Sequence, residues 1–287
     1  MSLTVRFWGV RGSVPAPGAH TAGVGGNTSC VELRCGDEII ILDAGTGLRG
    51  LGERLLASGR PVAASILFSH VHWDHIQGFP FFPPLFRPGT ELSLHGLPES
   101  GSLETALTHQ MTTPSFPVRL GAVPATLGFR DFELGRPFQV GSAVVRAARL
   151  NHPDGVIAYR VEVGGRVVVF ATDTEHYPDR IDRELVSLAE GADVLIYDAQ
   201  YTPEEYVGVI GGSRVGWGHS TWVEGVRVAR AAGVGSLVLF HHDPSHDDGA
   251  VAAIERAART VLPGAVAARE GLEIHLADGT ASTRRAA

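Results

Sequence analysis

The chain contains no lysine; its 24 basic side chains are all arginine. That absence removes lysine nucleophiles and Schiff-base chemistry from consideration. Cysteine is nearly as scarce. Cys30 and Cys35 form a single C-x4-C pair without the second pair that zinc-finger spacing requires, so both are read as core or strand residues. No apolar run approaches the roughly 18 to 20 residues needed to cross a bilayer, which excludes a membrane span. The opening stretch, MSLTVRFWGVRG, enters a strand-like pattern at once and lacks the regions of a signal peptide, giving the expectation of a cytoplasmic protein. A formal net charge of −7 supplies no basic footprint for broad duplex binding, so extended nucleic-acid binding is not expected, although a small phosphate pocket is compatible with it.

What is present is enough apolar material to build a sizeable core: 287 residues at 44% hydrophobic content are expected to form one α/β domain over 1–287. No tandem repeat is visible. Five apolar β runs end directly in a polar residue. They are IIIL before Asp43, ILFS before His70, VVVFAT before Asp173, VLIY before Asp198 and LVLF before His241. In α/β architectures ligands gather beyond the carboxyl ends of strands, so the pattern implies a single shared site. Strands alternating with helices, together with antiparallel hairpins, suit two packed sheets with helices outside. Segment 80–140, rich in Pro and Gly, is expected to be an irregular lid or wall. EIHLADG is read as an edge strand, and 280–287 as a frayed tail.

The stretch SILFSHVHWDHIQGF, Ser65 to Phe79, concentrates four metal-ligating side chains in six positions. Imidazole and carboxylate suit zinc and its neighbours, and alternation in an extended loop sends His70 and His72 to one side. Asp74 and His75 fall at the opening of the next helix and can face a second ion. Asp173 ends a buried strand, where an unpaired carboxylate is costly and a nearby cation offsets the cost.

The run H-x-H-x-D-H resembles the signature of the metallo-β-lactamase superfamily of metal-dependent hydrolases, and the resemblance spans roughly Val5 to Asp247. It implies a four-layer αββα sandwich and three further ligands, for which His152, Asp173 and His241 are the candidates. His152 lies in N-H followed by A-Y-R, which looks like the third ligand motif of the ribonuclease Z and cyclic phosphodiesterase branches. Two histidines follow Phe240, and strand registry in the related families favours His241 over His242. An Asp at 173, where lactamases proper carry a Cys, points to a dinuclear hydrolase. The implied arrangement places His70, His72 and His152 on one ion and Asp74, His75 and His241 on the other, with Asp173 shared. Two zinc ions are expected, with manganese or iron as alternatives. His246, Asp247 and Asp248 are read as caps or groups that orient the ligands, and His20, His95, His109, His176 and His275 as surface or core histidines.

DVLIYDAQY resembles the DVLIHEATF element of ribonuclease Z and GWGHST its A-H-S-T element, which together imply an acid and a His facing the metals: Asp198 and His219. Tyr197 and Asp198 stand where that family has His and Glu, and Gln200 replaces a Thr. With Asp74, these are the candidate catalytic groups, since an alkoxide leaving phosphorus needs a proton and an imidazole held by a carboxylate can supply it. The basic, Gly-rich arm of ribonuclease Z and the cysteine-rich zinc site of the phosphoribosyl cyclic phosphodiesterases are both absent. The expected function is therefore a dinuclear phosphodiesterase for a small or short phosphodiester, working through a hydroxide between the two ions. Glyoxalase II-type thioesterase or lactonase activity, tRNA 3′-processing and a metal-stabilised binding module are the alternatives. Segments 11–29 and 80–140 are expected to wall the cleft. Asn27 and Thr28 either pin the first segment or touch substrate. Phe79, Phe81, Phe82, Leu85 and Phe86 either pack on the core or form a lip, which in turn could be a homodimer surface.

Overall fold

A computed structural model describes residues 2–97, 101–277 and 280–285. The first half of the chain runs β1 (Leu3–Gly9), β2 (Cys30–Cys35), β3 (Glu38–Leu42), α1 (Gly47–Ala57), β4 (Ala63–Leu67), α2 (Trp73–Ile76), β5 (Glu91–His95), α3 (Leu103–Gln110) and β6 (Thr126–Arg130). The second runs β7 (Phe138–Val140), β8 (Ala143–Leu150), β9 (Val156–Val163), β10 (Arg166–Ala171), α4 (Arg183–Ala189), β11 (Val194–Asp198), α5 (Pro203–Tyr206), α6 (Trp222–Ala232), β12 (Ser236–Phe240), α7 (Asp248–Val261), β13 (Ala265–Ala267), β14 (Leu272–Ala277) and β15 (Thr280–Arg285). Among the described residues, one sheet has the order β15-β14-β1-β2-β3-β4-β5-β6 and the other β13-β12-β11-β10-β9-β8-β7.

Each sheet joins an antiparallel part to a parallel part, and the parallel parts carry the strand ends that matter. In the first sheet β3, β4, β5 and β6 are parallel; in the second β10, β11, β12 and β13 are. The sequence pattern follows from this placement. In β1, Leu3, Val5 and Phe7 turn inward while Thr4, Arg6 and Trp8 are half-buried, the period-2 alternation of a strand with one face on the core. β11 is covered on both faces and buries all five residues, so it reads as a continuous apolar run.

The core between the sheets includes Val5, Phe7, Val161, Phe170, Ile196 and Phe240. The Phe170 and Phe240 rings meet edge-on at 5.7 Å between centroids. On the outer face of the second sheet, Leu185 of α4 and Val226 and Ala229 of α6 cover Leu195 and Tyr197. Outside the first sheet, Leu48 and Leu51 of α1 pack with Ile66, Phe68 and Phe82. The result is the four-layer αββα sandwich. Helix starts are marked by side-chain caps from Asp182, Thr202, Thr221 and Asp247, and α6 ends on Gly233 at φ +63°. Among the described residues, no helix is long and apolar enough to cross a membrane.

Three expectations need correction. Segment 80–140 is not irregular throughout, because β5 and β6 extend the first sheet in parallel register. Its Pro-rich start forms two 3₁₀ turns at Phe79–Phe81 and Pro83–Phe86, which bury Phe79, Phe82 and Leu85 and leave Phe81 and Phe86 exposed. The aromatic run thus both packs on the core and forms a lip. At the other end, 280–285 is a strand and not a frayed tail. Its backbone pairs with β14, Ile274 opposite Thr283, which also makes β14 an inner strand; residues 286 and 287 lie outside the described residues.

The core and lip readings of neighbouring phenylalanines separate cleanly by mutation. Phe82→Ala is expected to cost about 3–5 kcal/mol, the usual loss for emptying a fully buried aromatic site. Phe81→Ala, at an exposed position, is expected to cost no more than about 1 kcal/mol. Urea denaturation followed by circular dichroism measures both.

Candidate metal centre

The centre is assembled where β3, β4, β10, β11 and β12 end. After β4 the chain stays extended through His72, whose ψ of 152° makes it the cap of α2, and then turns into that one-turn helix. The change from extended to helical backbone is what divides the four ligating side chains: His70 and His72 precede the helix, while Asp74 and His75 lie in its first turn. Three strand-end residues adopt the left-handed conformation that L-residues rarely occupy, with φ of +62° at Asp43, +51° at Asp173 and +59° at His241. Such strain costs on the order of 1–3 kcal/mol per residue and persists only where its surroundings over-determine it. Here it turns each strand's last side chain into the shared cleft.

The seven expected ligands fall into two clusters joined by one carboxylate, and a third group that could hold an ion, Asp173, Asp198, His219 and His241, overlaps the second. His70, His72 and His152 bring ring nitrogens together, and Asp74, His75, Asp173 and His241 form the second group. His152 Nε2 lies 3.2 Å from His72 Nδ1. His241 Nε2 lies 3.3 Å from His75 Nε2 and 3.1 Å from Asp74 Oδ2. Asp173 faces both ways: Oδ1 is 3.2 Å from His75 Nε2 and 3.1 Å from His241 Nε2, and Oδ2 is 3.7 Å from His70 Nε2 and 4.0 Å from His152 Nε2. Ligand atoms around a tetrahedral zinc, at bonds of about 2.0–2.1 Å, are separated by roughly 3.3–3.4 Å. The observed spacings have that scale.

Donor chemistry and charge also fit divalent cations. His70 Nε2 is buried without a hydrogen-bond partner. Burial pushes the His70 imidazole well down, leaving it neutral as a ligand must be. Asp43, Asp74, Asp173 and Asp198 are all buried. Among the described residues their ion-pair partners are histidines, never arginine. Burial favours neutral His75, yet Asp173, Asp74 and Asp43 outweigh it and raise the imidazole well above its ordinary value. Burial likewise raises the Asp173 carboxyl, but His241 and His75 keep it well below the carboxylate range. A pocket with this field stabilises positive charge, so these residues fit a metal pair.

A further layer fixes the ring orientations. Asp43 Oδ2 is 2.7 Å from His75 Nδ1, and the same carboxylate accepts from Ser69 N and from the hydroxyls of Ser69 and Ser29. Gln200 Oε1 accepts from His241 Nδ1 at 2.9 Å, and the Gly218 carbonyl from His152 Nδ1 at 2.8 Å. Each contact occupies one ring nitrogen and leaves Nε2 for the cluster. Ser13 N donates to Asp74 Oδ2 at 2.7 Å. Gly218 must be glycine for packing as well as for its φ of +86°, because a Cβ there would come within 2.3 Å of His152 Nδ1.

Beside the clusters, His219 Nδ1 lies 2.9 Å from Asp198 Oδ2 and 3.9 Å from Asp173 Oδ2. Burial pushes the His219 imidazole down, but the Asp198 carboxylate more than compensates and it is pushed up to about 9.

The structure thus brings together His70, His72, Asp74, His75, His152, Asp173, Asp198, His219 and His241. His242 points away, its Nε2 on the Ala268 carbonyl. His246, Asp247 and Asp248 do not orient the ligand rings: His246 meets Glu205, Asp247 caps α7, and Asp248 accepts from Gly23 N and Val24 N. Asn27 bonds Glu270 and Thr28 exchanges hydrogen bonds with Thr46, so both pin the 11–29 loop. Sequence reasoning marked Asp43 as a strand end without finding its role, which the same pattern could have suggested. It gave no signal for Ser13, which acts through its backbone from an irregular loop.

Residues 38–242 match the family described as "Beta-lactamase superfamily domain". The chain is 26% identical to ribonuclease Z of Lacticaseibacillus casei, over 90% of this chain and 93% of that protein. In fold it is similar to the metallo-β-lactamase fold protein YhfI from Bacillus subtilis, at a TM-score of 0.72 and 20% identity, covering 96% of this chain and 100% of the other. A diphosphatase from the PhnP family superposes with a TM-score of 0.67 at 17% identity, covering 96% and 98% of the two chains.

Asp43→Asn tests the layer behind the rings. Asn tolerates the left-handed backbone, so the change isolates the charge on His75. Affinity for divalent metal, measured by competition with a chromophoric chelator, is expected to fall about 10- to 100-fold, with circular dichroism unchanged.

Proposed function

Because the chain belongs to the β-lactamase superfamily domain family and is a metal-dependent hydrolase, we propose that it is a dinuclear phosphodiesterase acting on a small or short phosphodiester. In this reading His70, His72 and His152 would hold one ion and Asp74, His75 and His241 the other, with Asp173 shared between them. Zinc is the first choice, with manganese or iron as alternatives, since a mixed His and Asp shell discriminates weakly among them. When bound, the pair lowers the pKa of water to supply a nucleophile at neutral pH and offsets the charge on phosphate oxygens.

The observation that carries the reading is the His219–Asp198 pair, 2.9 Å apart and beside Asp173. Asp198 accepts a hydrogen bond from Nδ1–H, fixes the ring and favours its protonated form, so Nε2 is left to give its proton to the departing alkoxide. Asp198 is itself held by Thr174 N and Gln200 N, which fixes the direction of the imidazole. Asp74 holds its metal-facing oxygen in place through Ser13 N. A curated relative named ribonuclease Z supports a phosphodiester substrate. The net charge of −7 and the lack of a basic arm support a short one. A thioesterase or lactonase would use the same ions but would leave the His219–Asp198 pair without a task.

The role assigned to His219 depends on the leaving group. For an alkyl phosphodiester, whose alkoxide must be protonated, His219→Ala is expected to lower kcat by about 10²- to 10⁴-fold. Bis-p-nitrophenyl phosphate releases a stable phenolate, and its loss should be far smaller. Steady-state rates on both substrates check this. Equal losses would indicate that His219 only maintains the site, and no loss on either would remove the proton-donor role.

A further inference from the structure

The motif loop has two faces, and the face turned from the ligands borders a cleft. His70, His72, Asp74 and His75 turn to the metal centre, whereas Val71, Trp73, Ile76 and Gln77 line an adjoining cleft of about 590 Å³. That volume is in the range of small-molecule sites. Trp73 sits between two candidate ligands and is 79% exposed, an unusual condition for an indole. Across the cleft, Phe81 is 58% exposed and meets Phe116 edge-on at 5.5 Å with an interplanar angle of 90°.

Polar groups are placed among the rings. Gln110 lines the same cleft; its Nε2 donates to the Ile76 carbonyl, while its Oε1 is buried and has no partner. Arg49, also on the cleft wall, pairs with Glu53 at the surface. Exposed aromatic walls at Trp73 and Phe81 suit a planar ring, whose faces an aliphatic chain would not use. Trp73 lines the cleft and lies between His72 and Asp74 in the motif loop, so the cleft adjoins the residues that would hold the ions.

We propose that this cleft is a substrate subsite for a flat aromatic group, stacked on Trp73, so that the enzyme selects aryl and nucleoside phosphodiesters over dialkyl ones. The proposal rests on the phosphodiesterase reading and assigns Trp73 as a specificity residue. A stacked ring is worth about 1–3 kcal/mol by alanine substitution, which corresponds to about 5- to 150-fold in affinity.

The test uses metal-loaded wild type, Trp73→Ala and Trp73→Phe. Trp73→Ala is expected to raise KM for bis-p-nitrophenyl phosphate about 5- to 150-fold with little change in kcat, while its rate on glycerophosphoethanolamine, which has no ring, stays within about twofold of wild type. Trp73→Phe should keep most of the aromatic preference. An equal loss on both substrates, or no loss on either, overturns the proposal. Binding is read separately by tryptophan fluorescence: adenosine should quench wild type but not Trp73→Phe, and ribose 5-phosphate should quench neither. If no diester is hydrolysed but adenosine still quenches through Trp73, the cleft stands and the phosphodiesterase reading falls. Turnover of both diesters without dependence on Trp73 has the opposite meaning. A two-chain mass in solution that falls to one chain in Trp73→Ala would show the indole covered by a second copy and would also overturn the subsite.

Discussion

Four carboxylates buried at or beside strand ends, facing imidazoles and, among the described residues, no arginine, are the constraint on which the site rests. Asp43, Asp74, Asp173 and Asp198 would each be costly to bury as isolated anions. Histidines alone meet this charge poorly, because burial opposes protonating the same rings that the acids favour, as the opposite directions at His70 and His75 show. Divalent cations would resolve the conflict, satisfying the carboxylates and leaving the imidazoles neutral. The left-handed backbone at Asp43, Asp173 and His241 is the conformational cost of pointing these groups at one another.

The αββα architecture exists in this chain chiefly as a means of bringing two parallel sheet edges to one place. Asp43 and His70 follow strands of the first sheet, and Asp173, Asp198 and His241 end or follow strands of the second. The inter-sheet core of Phe7, Phe170 and Phe240 fixes the distance between those edges. Loops then complete the geometry with backbone groups: Ser13 N on Asp74 and Gly218 O on His152. Precision at the site is therefore a joint property of sheet packing and of two loops far apart in sequence.

Much of this was legible in the sequence because the chemistry there is local. The six-residue motif and the apolar runs ending in Asp or His announced which residues converge. The 80–140 segment departs from expectation because its Pro and Gly mark turns but conceal three short strands, of five, five and three residues, which gain stability only from their neighbours in the sheet. The strand at Thr280–Arg285 has the polar composition of a tail and is specified by backbone pairing with β14. Alternating burial of Phe79, Phe81 and Phe82 depends on 3₁₀ geometry that composition does not reveal. Backbone donors such as Ser13 N leave no residue-type signal at all.

The central claim, that Asp173 joins two cation sites into one centre, is tested most directly by counting metal. Inductively coupled plasma mass spectrometry on purified wild type should approach two divalent ions per chain, and Asp173→Ala should lose occupancy at both positions together, because Oδ1 and Oδ2 face different clusters. Retention of one full-occupancy ion in the variant would make Asp173 a terminal ligand, and a wild-type protein saturating at one ion would contradict the account.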